Sequence, residues 1–246
     1  MELADIIFLV IGFFSEVVGT MAGFGSSTIY LPLASYFVDF KTALVLVAIF
    51  HLFGNIGRIT FFRHGLEKRV LLLFGVPSFL LSLLGATLVG DLSQTLLKLM
   101  LGIFLIAFSL TFLVRPKLAF PANSKTLLLG GGISGFIVGL IGTGGALRAT
   151  FLTGLKLDKE KYIATAAVIA LGTDATRIPS YVASGFLTEQ YYYFIPILFG
   201  IALGGSFVGR KIVNRIDQGK FKKIVLIAII LASIRFIVDG ITGFGT

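Results

Sequence analysis

Gly135-Phe136-Ile137-Val138-Gly139-Leu140-Ile141-Gly142-Thr143-Gly144-Gly145-Ala146-Leu147-Arg148 interrupts a long apolar run with five glycines and closes on an arginine. A weaker break, Gly19-Thr20-Met21-Ala22-Gly23-Phe24-Gly25-Ser26-Ser27-Thr28, lies near the start of the chain. The apolar segments that hold these breaks cover residues 3–38 and 126–155. Both are too long for a single membrane crossing, which takes about 20 residues. What the chain does at the two breaks therefore decides the fold.

The rest of the sequence sets the class. Of 246 residues, 56% are hydrophobic and 13% charged, against about 25% charged in a soluble domain. Six further apolar segments, 42–62, 70–90, 96–114, 161–183, 191–209 and 220–238, each have the length of one span. This is the pattern of an all-α integral membrane protein. A barrel would show short alternating segments instead. With no cysteine, and with His51 and His64 the only imidazoles, neither disulfides nor a metal site is expected. The formal charge of +9 does not imply a nucleic-acid partner, because Lys and Arg collect in cytoplasmic loops of membrane proteins. Glu2 and Asp5 stand where a signal peptide carries positive charge, so no cleaved signal is expected.

The chain repeats itself. A shift of 119 residues places Gly23 on Gly142, Gly25 on Gly144, Asp39 on Asp158, Asn55 on Asp174, Arg58 on Arg177, Pro77 on Pro196, Gly85 on Gly204 and Gly90 on Gly209. We read one membrane domain, 1–246, built from a first repeat of approximately 3–114 and a second of approximately 126–240. Internal repeats of this kind mark transporter folds.

Charge orients the repeats. Loops 63–69, 115–125, 156–161 and 210–223 hold 15 of the 21 Lys and Arg residues. If all eight segments crossed, two of these loops would lie on each side. If segments 3–38 and 126–155 enter and return on one side, all four lie together, on the cytoplasmic face. Each half is then a glycine-broken re-entrant hairpin plus three transmembrane helices, the halves are inverted, and both termini lie outside. The alternative is a pair of long, tilted, kinked spans.

A helix restarts after each break, near Ser26 and near Gly145. Its unpaired N–H groups and partial positive charge suit an anion. The expected substrate site comprises Gly23, Gly25, Ser26 and Ser27 from the first break, with Gly142, Gly144, Gly145 and Arg148 from the second. Arg148 has Ile29 as its repeat partner, so duplication did not supply it, and a charge at that depth is usually functional. The alternative for Arg148 is a structural pair with Glu16 or Asp174. Arg58, Arg177, Asp174, Glu16, Asn55 and His51 are candidate gating or coupling residues. For Arg58 and Arg177 the alternative is snorkelling to the interface. For Asp174 it is plain compensation of Arg177, and for His51 a packing role. Tyr191, Tyr192 and Tyr193 read as an interfacial belt. No nucleophile–base arrangement, phosphate loop or metal-ligand cluster is present in the sequence, so neither an enzyme nor a cofactor is expected.

The paired breaks are of the type G-x-x-x-G-x-G-[GS], from Gly19 to Ser26 and from Val138 to Gly145, where Val138 stands in place of the first glycine. With the length and the lack of large loops, this resembles the TauE/SafE sulfite-exporter family of bacterial inner-membrane permeases. The resemblance implies export of a small anion (sulfite, a sulfonate or a related organic acid) across the cytoplasmic membrane, driven by an ion gradient without ATP. The first copy departs from the pattern with Gly25-Ser26 in place of a double glycine. The expected function is thus a secondary anion exporter working by alternating access. A passive anion channel using the same glycine-rich tips as its filter is the alternative. The lipid bilayer and the anion are the expected partners, and homo-oligomerisation is left open.

Overall fold

The computed structural model describes residues 3–23, 25–61, 65–213 and 216–243. Phe24, His64 and parts of the basic stretches 63–69 and 210–223 lie outside the described residues. The first half contains helices α1 (Leu3–Ala22), α2 (Ser27–Ala34), α3 (Phe40–Phe61), α4 (Lys68–Asp91) and α5 (Gln94–Val114). The second contains α6 (Ser124–Ile141), α7 (Gly145–Thr153), α8 (Lys159–Ala183), α9 (Phe194–Ile212) and α10 (Gln218–Gly243). No strand occurs among the described residues. The order of elements is the same in both halves, and the 119-residue shift carries α1–α4 close to α6–α9. After α9 the register slips within the basic connection, and α10 begins later than the shift requires.

Both long apolar segments break where the glycines fall. Gly142 ends α6 in the left-handed region at φ 77°, and its N–H closes the last turn on the Val138 carbonyl. Gly23 and Gly25 hold φ 76° and 83° at the first break, a conformation that side chains resist. Beyond each break the chain folds back. Tyr30 of α2 reaches the Phe8 carbonyl of α1 at 3.2 Å, and Phe151 of α7 stacks at 4.4 Å on Phe120, which precedes α6. The legs are unequal: α1 and α6 have 20 and 18 residues, α2 and α7 only 8 and 9. The longer legs are themselves about 30 Å, the depth of the hydrocarbon core.

Among the described residues, seven helices are long and apolar enough to cross a membrane: α1, α3, α4, α5, α6, α10 and the 189–212 stretch holding α9. Helix α8 has 25 residues but is not among them, because Thr165, Thr173, Asp174 and Arg177 dilute its hydropathy. All four are buried, so the deficit faces protein. The outer surface has the opposite character, with Leu72, Leu80, Leu84, Ile103, Leu110, Ile224 and Leu231 exposed. Water would not support so continuous an apolar exterior; lipid does. The chain is a multi-pass membrane protein.

Side-chain contacts fix which loops share an end. Lys161 pairs with Glu67 at 2.7 Å, Arg69 donates to Ser124 at 3.0 Å, and Arg210 lies over the Phe61 ring. The four basic loops therefore gather at one end. At the other end Lys41 donates to the Gly90 carbonyl at 3.0 Å, and Tyr193 bonds Asp5 at 2.9 Å. Helices α3 and α8, equivalent under the shift, run antiparallel. Thr42 bonds the Phe186 carbonyl, His51 meets Asp174, and the Glu67 N–H, just beyond α3, reaches Thr165.

Glycines also set the packing of α6 on α4. A Cβ at Gly131, Gly135 or Gly139 would overlap the carbonyl oxygens of Phe74, Ser78 and Ser82 respectively. Two helices with a four-residue period approach here at backbone contact, as small-residue faces allow in membranes. Two glycines of the opening stretch, Gly135 and Gly139, thus serve helix packing, while Gly142 and Gly144 make the break. A π-turn at Leu71–Gly75 precedes Pro77, where the ring would otherwise clash with the carbonyl four residues back.

Candidate functional site

The two breaks meet. Thr28, in the first turn of α2, and Thr143, just before α7, share a hydrogen bond of 2.9 Å between their hydroxyls. A Cβ on Gly25 would come within 4.0 Å of the Gly145 Cα. Beyond this contact, Tyr30 and Leu31 of α2 sit fully buried with Leu44 and Phe50 of α3. Packing is thus closed toward the end that carries Lys41 and Tyr193.

Beside the breaks runs one polar network spanning both halves. Glu16 Oε1 accepts from Arg58 Nη2 at 2.6 Å, Ser206 Oγ at 2.6 Å and Thr20 Oγ1 at 3.3 Å. Arg58 also donates from Nη1 to Asn55 Oδ1 at 2.8 Å and from Nε to Thr20 Oγ1 at 3.2 Å. Asn55 lies 3.5 Å from Asp174 Oδ2, so two residues paired by the 119-residue shift touch. His51 Nδ1 is 2.8 Å from the same oxygen. Arg177 engages Asp174 Oδ1 through Nε at 3.0 Å and Nη2 at 2.8 Å, and donates from Nη1 to the Val138 carbonyl at 3.2 Å. Snorkelling does not describe either arginine: Arg58 and Arg177 are buried and turned inward.

Arg148 differs. It is 6% exposed, yet among the described residues its guanidinium has neither an ion pair nor a side-chain hydrogen bond. The carboxylates once open to it are taken, Glu16 by Arg58 and Asp174 by Arg177. Arg148 instead lines a cavity of about 40 Å³ with Gly19, Thr20, Gly23, Gly25, Asn55, Arg58 and Tyr162. One water needs roughly 10–15 Å³ by this measure, so the space suits a few water-sized groups. A larger cavity of about 600 Å³ shares Gly23 and Tyr162 with it and extends to Pro116, Lys156 and Lys223 at the basic end.

The expected site residues thus divide. Gly23, Gly25, Asn55, Arg58 and Arg148 come together around the small cavity. Gly142, Gly144 and Gly145 do not line it; Gly142 packs against Leu44 and Leu31, and Gly144 against Val138. Ser26 and Ser27 are buried, and Ser26 Oγ has no partner. His51, Asp174, Arg177 and Glu16 stand behind the cavity in the network. Thr20, Ser206 and Tyr162 complete the arrangement and carried no signal as site residues. Ser206 has as its repeat partner the exposed Thr87, so symmetry does not mark it.

A family model described as Sulfite exporter TauE/SafE matches residues 8–236 of the chain. No curated protein and no solved structure matches it.

Proposed function

The chain belongs to the sulfite exporter TauE/SafE family, and we propose that it is a secondary carrier in which Arg148 binds the exported oxyanion. One observation carries this reading. Among the described residues, three buried arginines (Arg58, Arg148 and Arg177) face two buried carboxylates, Glu16 and Asp174. Both carboxylates are held by the other two arginines. The uncompensated guanidinium lines a cavity beside a helix break, where an anion restores the charge balance. Arg58 and the backbone around Gly23 and Gly25 complete the cradle.

The two halves are read as an inverted repeat with re-entrant hairpins. The antiparallel course of α3 and α8 and the fold-back at both breaks support this. Clustering of all four basic loops supports placing that end in the cytoplasm of a bacterial inner membrane, with both termini outside. Because the protein has no cysteine, single-cysteine labelling tests the orientation directly. In intact cells an impermeant maleimide is expected to label Asp91→Cys and to spare Lys117→Cys until the membrane is opened. Labelling of Lys117→Cys in sealed cells would reverse the topology.

The closed packing beyond Thr28 and Thr143, opposite the large cavity, favours alternating access over a passive channel. Rocking of the halves about the α3–α8 contact would exchange the open end.

For coupling, Glu16 is the better candidate of the two carboxylates. Both oxygens of Asp174 have donors. Glu16 has three donors on Oε1 and none on the buried Oε2. A proton on Glu16 neutralises the carboxylate and frees Arg58 Nη2 to turn toward the cavity, so proton and anion become linked. Among the described residues, Arg58 is the one charged side chain that hydrogen-bonds Glu16; its other two partners, Thr20 and Ser206, are neutral. In proteoliposomes, Glu16→Gln is expected to keep downhill anion flux but lose its acceleration by an imposed pH gradient. A variant that responds like the wild type would remove Glu16 from the coupling step.

A further inference from the structure

We infer that the hydroxyl pair of Thr28 and Thr143 is a gate latch, which holds the route toward the Lys41 end shut in this conformation and parts once in each transport cycle. This deepens the carrier reading and rests on it. The pair joins the two halves at their breaks. Its members are 115 residues apart in sequence, with 2.9 Å between the hydroxyl oxygens, and neither is exposed. On one side of the pair, the cavity of about 600 Å³ runs from Gly23 to Lys156 and Lys223 at the basic end. On the other side the space is filled. Tyr30 packs edge-on against Phe50 at 4.9 Å, and Leu31 and Leu44 are fully buried.

These four plug residues belong to α2 and α3, in the first half. They meet the second half at Gly142, where Leu31 and Leu44 leave no room for a Cβ, and Thr28 meets it beside them at the Thr143 hydroxyl. The contact at Gly142 is apolar and non-directional. The hydroxyl bond is directional and fixes one break against the other. Its chemistry suits a joint that opens. An ion pair parted at this depth would strand two buried charges. A hydroxyl both donates and accepts, so each threonine released from the other turns to water or to the passing anion. The backbone is jointed on both sides as well. Thr143 stands between Gly142, at φ 77°, and Gly144, while α2 follows Gly23 and Gly25 at φ 76° and 83°. Beyond these joints α2 packs chiefly on α1 and α3, and α7 on α6 and α8. Each short helix therefore travels with its own half when the halves rock, and the breaks are where they separate.

The test uses the absence of cysteine in the chain. Thr28→Cys with Thr143→Cys is reconstituted in proteoliposomes and oxidised. A disulfide needs little more approach than the hydroxyls already have. Bridging is read as loss of maleimide reactivity in the denatured protein, before and after each flux assay, because sulfite cleaves disulfides. Sulfite and methanesulfonate are the probes. The bridged protein is expected to lose saturable flux by about tenfold or more and to regain it on reduction. In detergent it should bind the probes as the reduced form does, because the way from the basic end to Arg148 stays open. The two single-cysteine variants should not respond to the oxidant. A bridged protein that transports like the reduced one overturns the latch and leaves the carrier standing, as does a double variant that forms no bridge. Loss of binding together with flux on bridging also overturns it, since the pair would then belong to the anion site. If the reduced double variant carries no flux, two further pairs decide. Thr28→Val with Thr143→Val keeps the shape without the hydroxyls, and Thr28→Ser with Thr143→Ser keeps the hydroxyls. Faster flux in the valine pair sustains the latch; equal or slower flux overturns it. Absence of saturable flux of both probes in the wild type removes the carrier reading and this one together.

Discussion

Arg148→Ala is expected to lower anion affinity by at least about 30-fold and to stop saturable transport, while leaving the protein as stable as the wild type or slightly more so. The two halves of this expectation have one cause. Removing one member of a desolvated charge pair costs about 2–5 kcal/mol of binding, which is roughly 30-fold to several-thousand-fold in affinity. In the free protein, however, Arg148 has no side-chain partner among the described residues to lose, and its burial is an uncompensated desolvation cost. Most substitutions of a buried charge cut stability and function together; this one should separate them. Thermal unfolding in detergent gives both readings. Saturating anion should raise the wild-type midpoint, because a ligand at 100 times its Kd stabilises by about 2.7 kcal/mol, and should not move that of Arg148→Ala. Arg148→Lys keeps the charge but loses the fork geometry, so it should fall between the two. Wild-type anion uptake by Arg148→Ala in proteoliposomes would exclude the site.

Asp174→Asn should behave in the opposite way. Asp174 holds Arg177 by two donors on one oxygen and His51 by the other, in a position with no exposed surface. Its neutralisation leaves the Arg177 guanidinium buried without a counter-charge, a loss of about 3–5 kcal/mol and on the order of 10 °C in the unfolding midpoint. The double variant Asp174→Asn with Arg177→Met should regain much of the loss, because the second change removes the orphaned charge. Should Asp174→Asn keep the wild-type midpoint and instead lose the response to a pH gradient, the coupling role would pass from Glu16 to Asp174.

The contrast between these arginines marks how far the sequence could be read. That Arg58, Arg148 and Arg177 lie within apolar segments is visible in one dimension, as is the equivalence of Arg58 with Arg177. Which carboxylate each arginine meets is not. Glu16 and Arg58 are 42 residues apart, and His51 and Asp174 are 123 apart. Such pairings depend on how each helix is rotated about its axis. Where most positions are apolar, hydropathy carries little record of that rotation. Which of the expected site glycines line a cavity is subject to the same limit. Leu31, Leu44 and Val138 fill the space at Gly142 and Gly144, and the cavity lies against the first break.

By itself the sequence determined the membrane class, the constant 119-residue offset, the positions of both breaks and the grouping of basic loops. These follow from composition, from hydropathy averaged over a span and from a constant offset, all of which are read along the chain. Only the tertiary structure decided that, of the three buried arginines among the described residues, Arg148 is the one left without a carboxylate. Charge balance in a buried site is a sum over neighbours in space, and those neighbours come from α1, α3, α7, α8 and α9 at once.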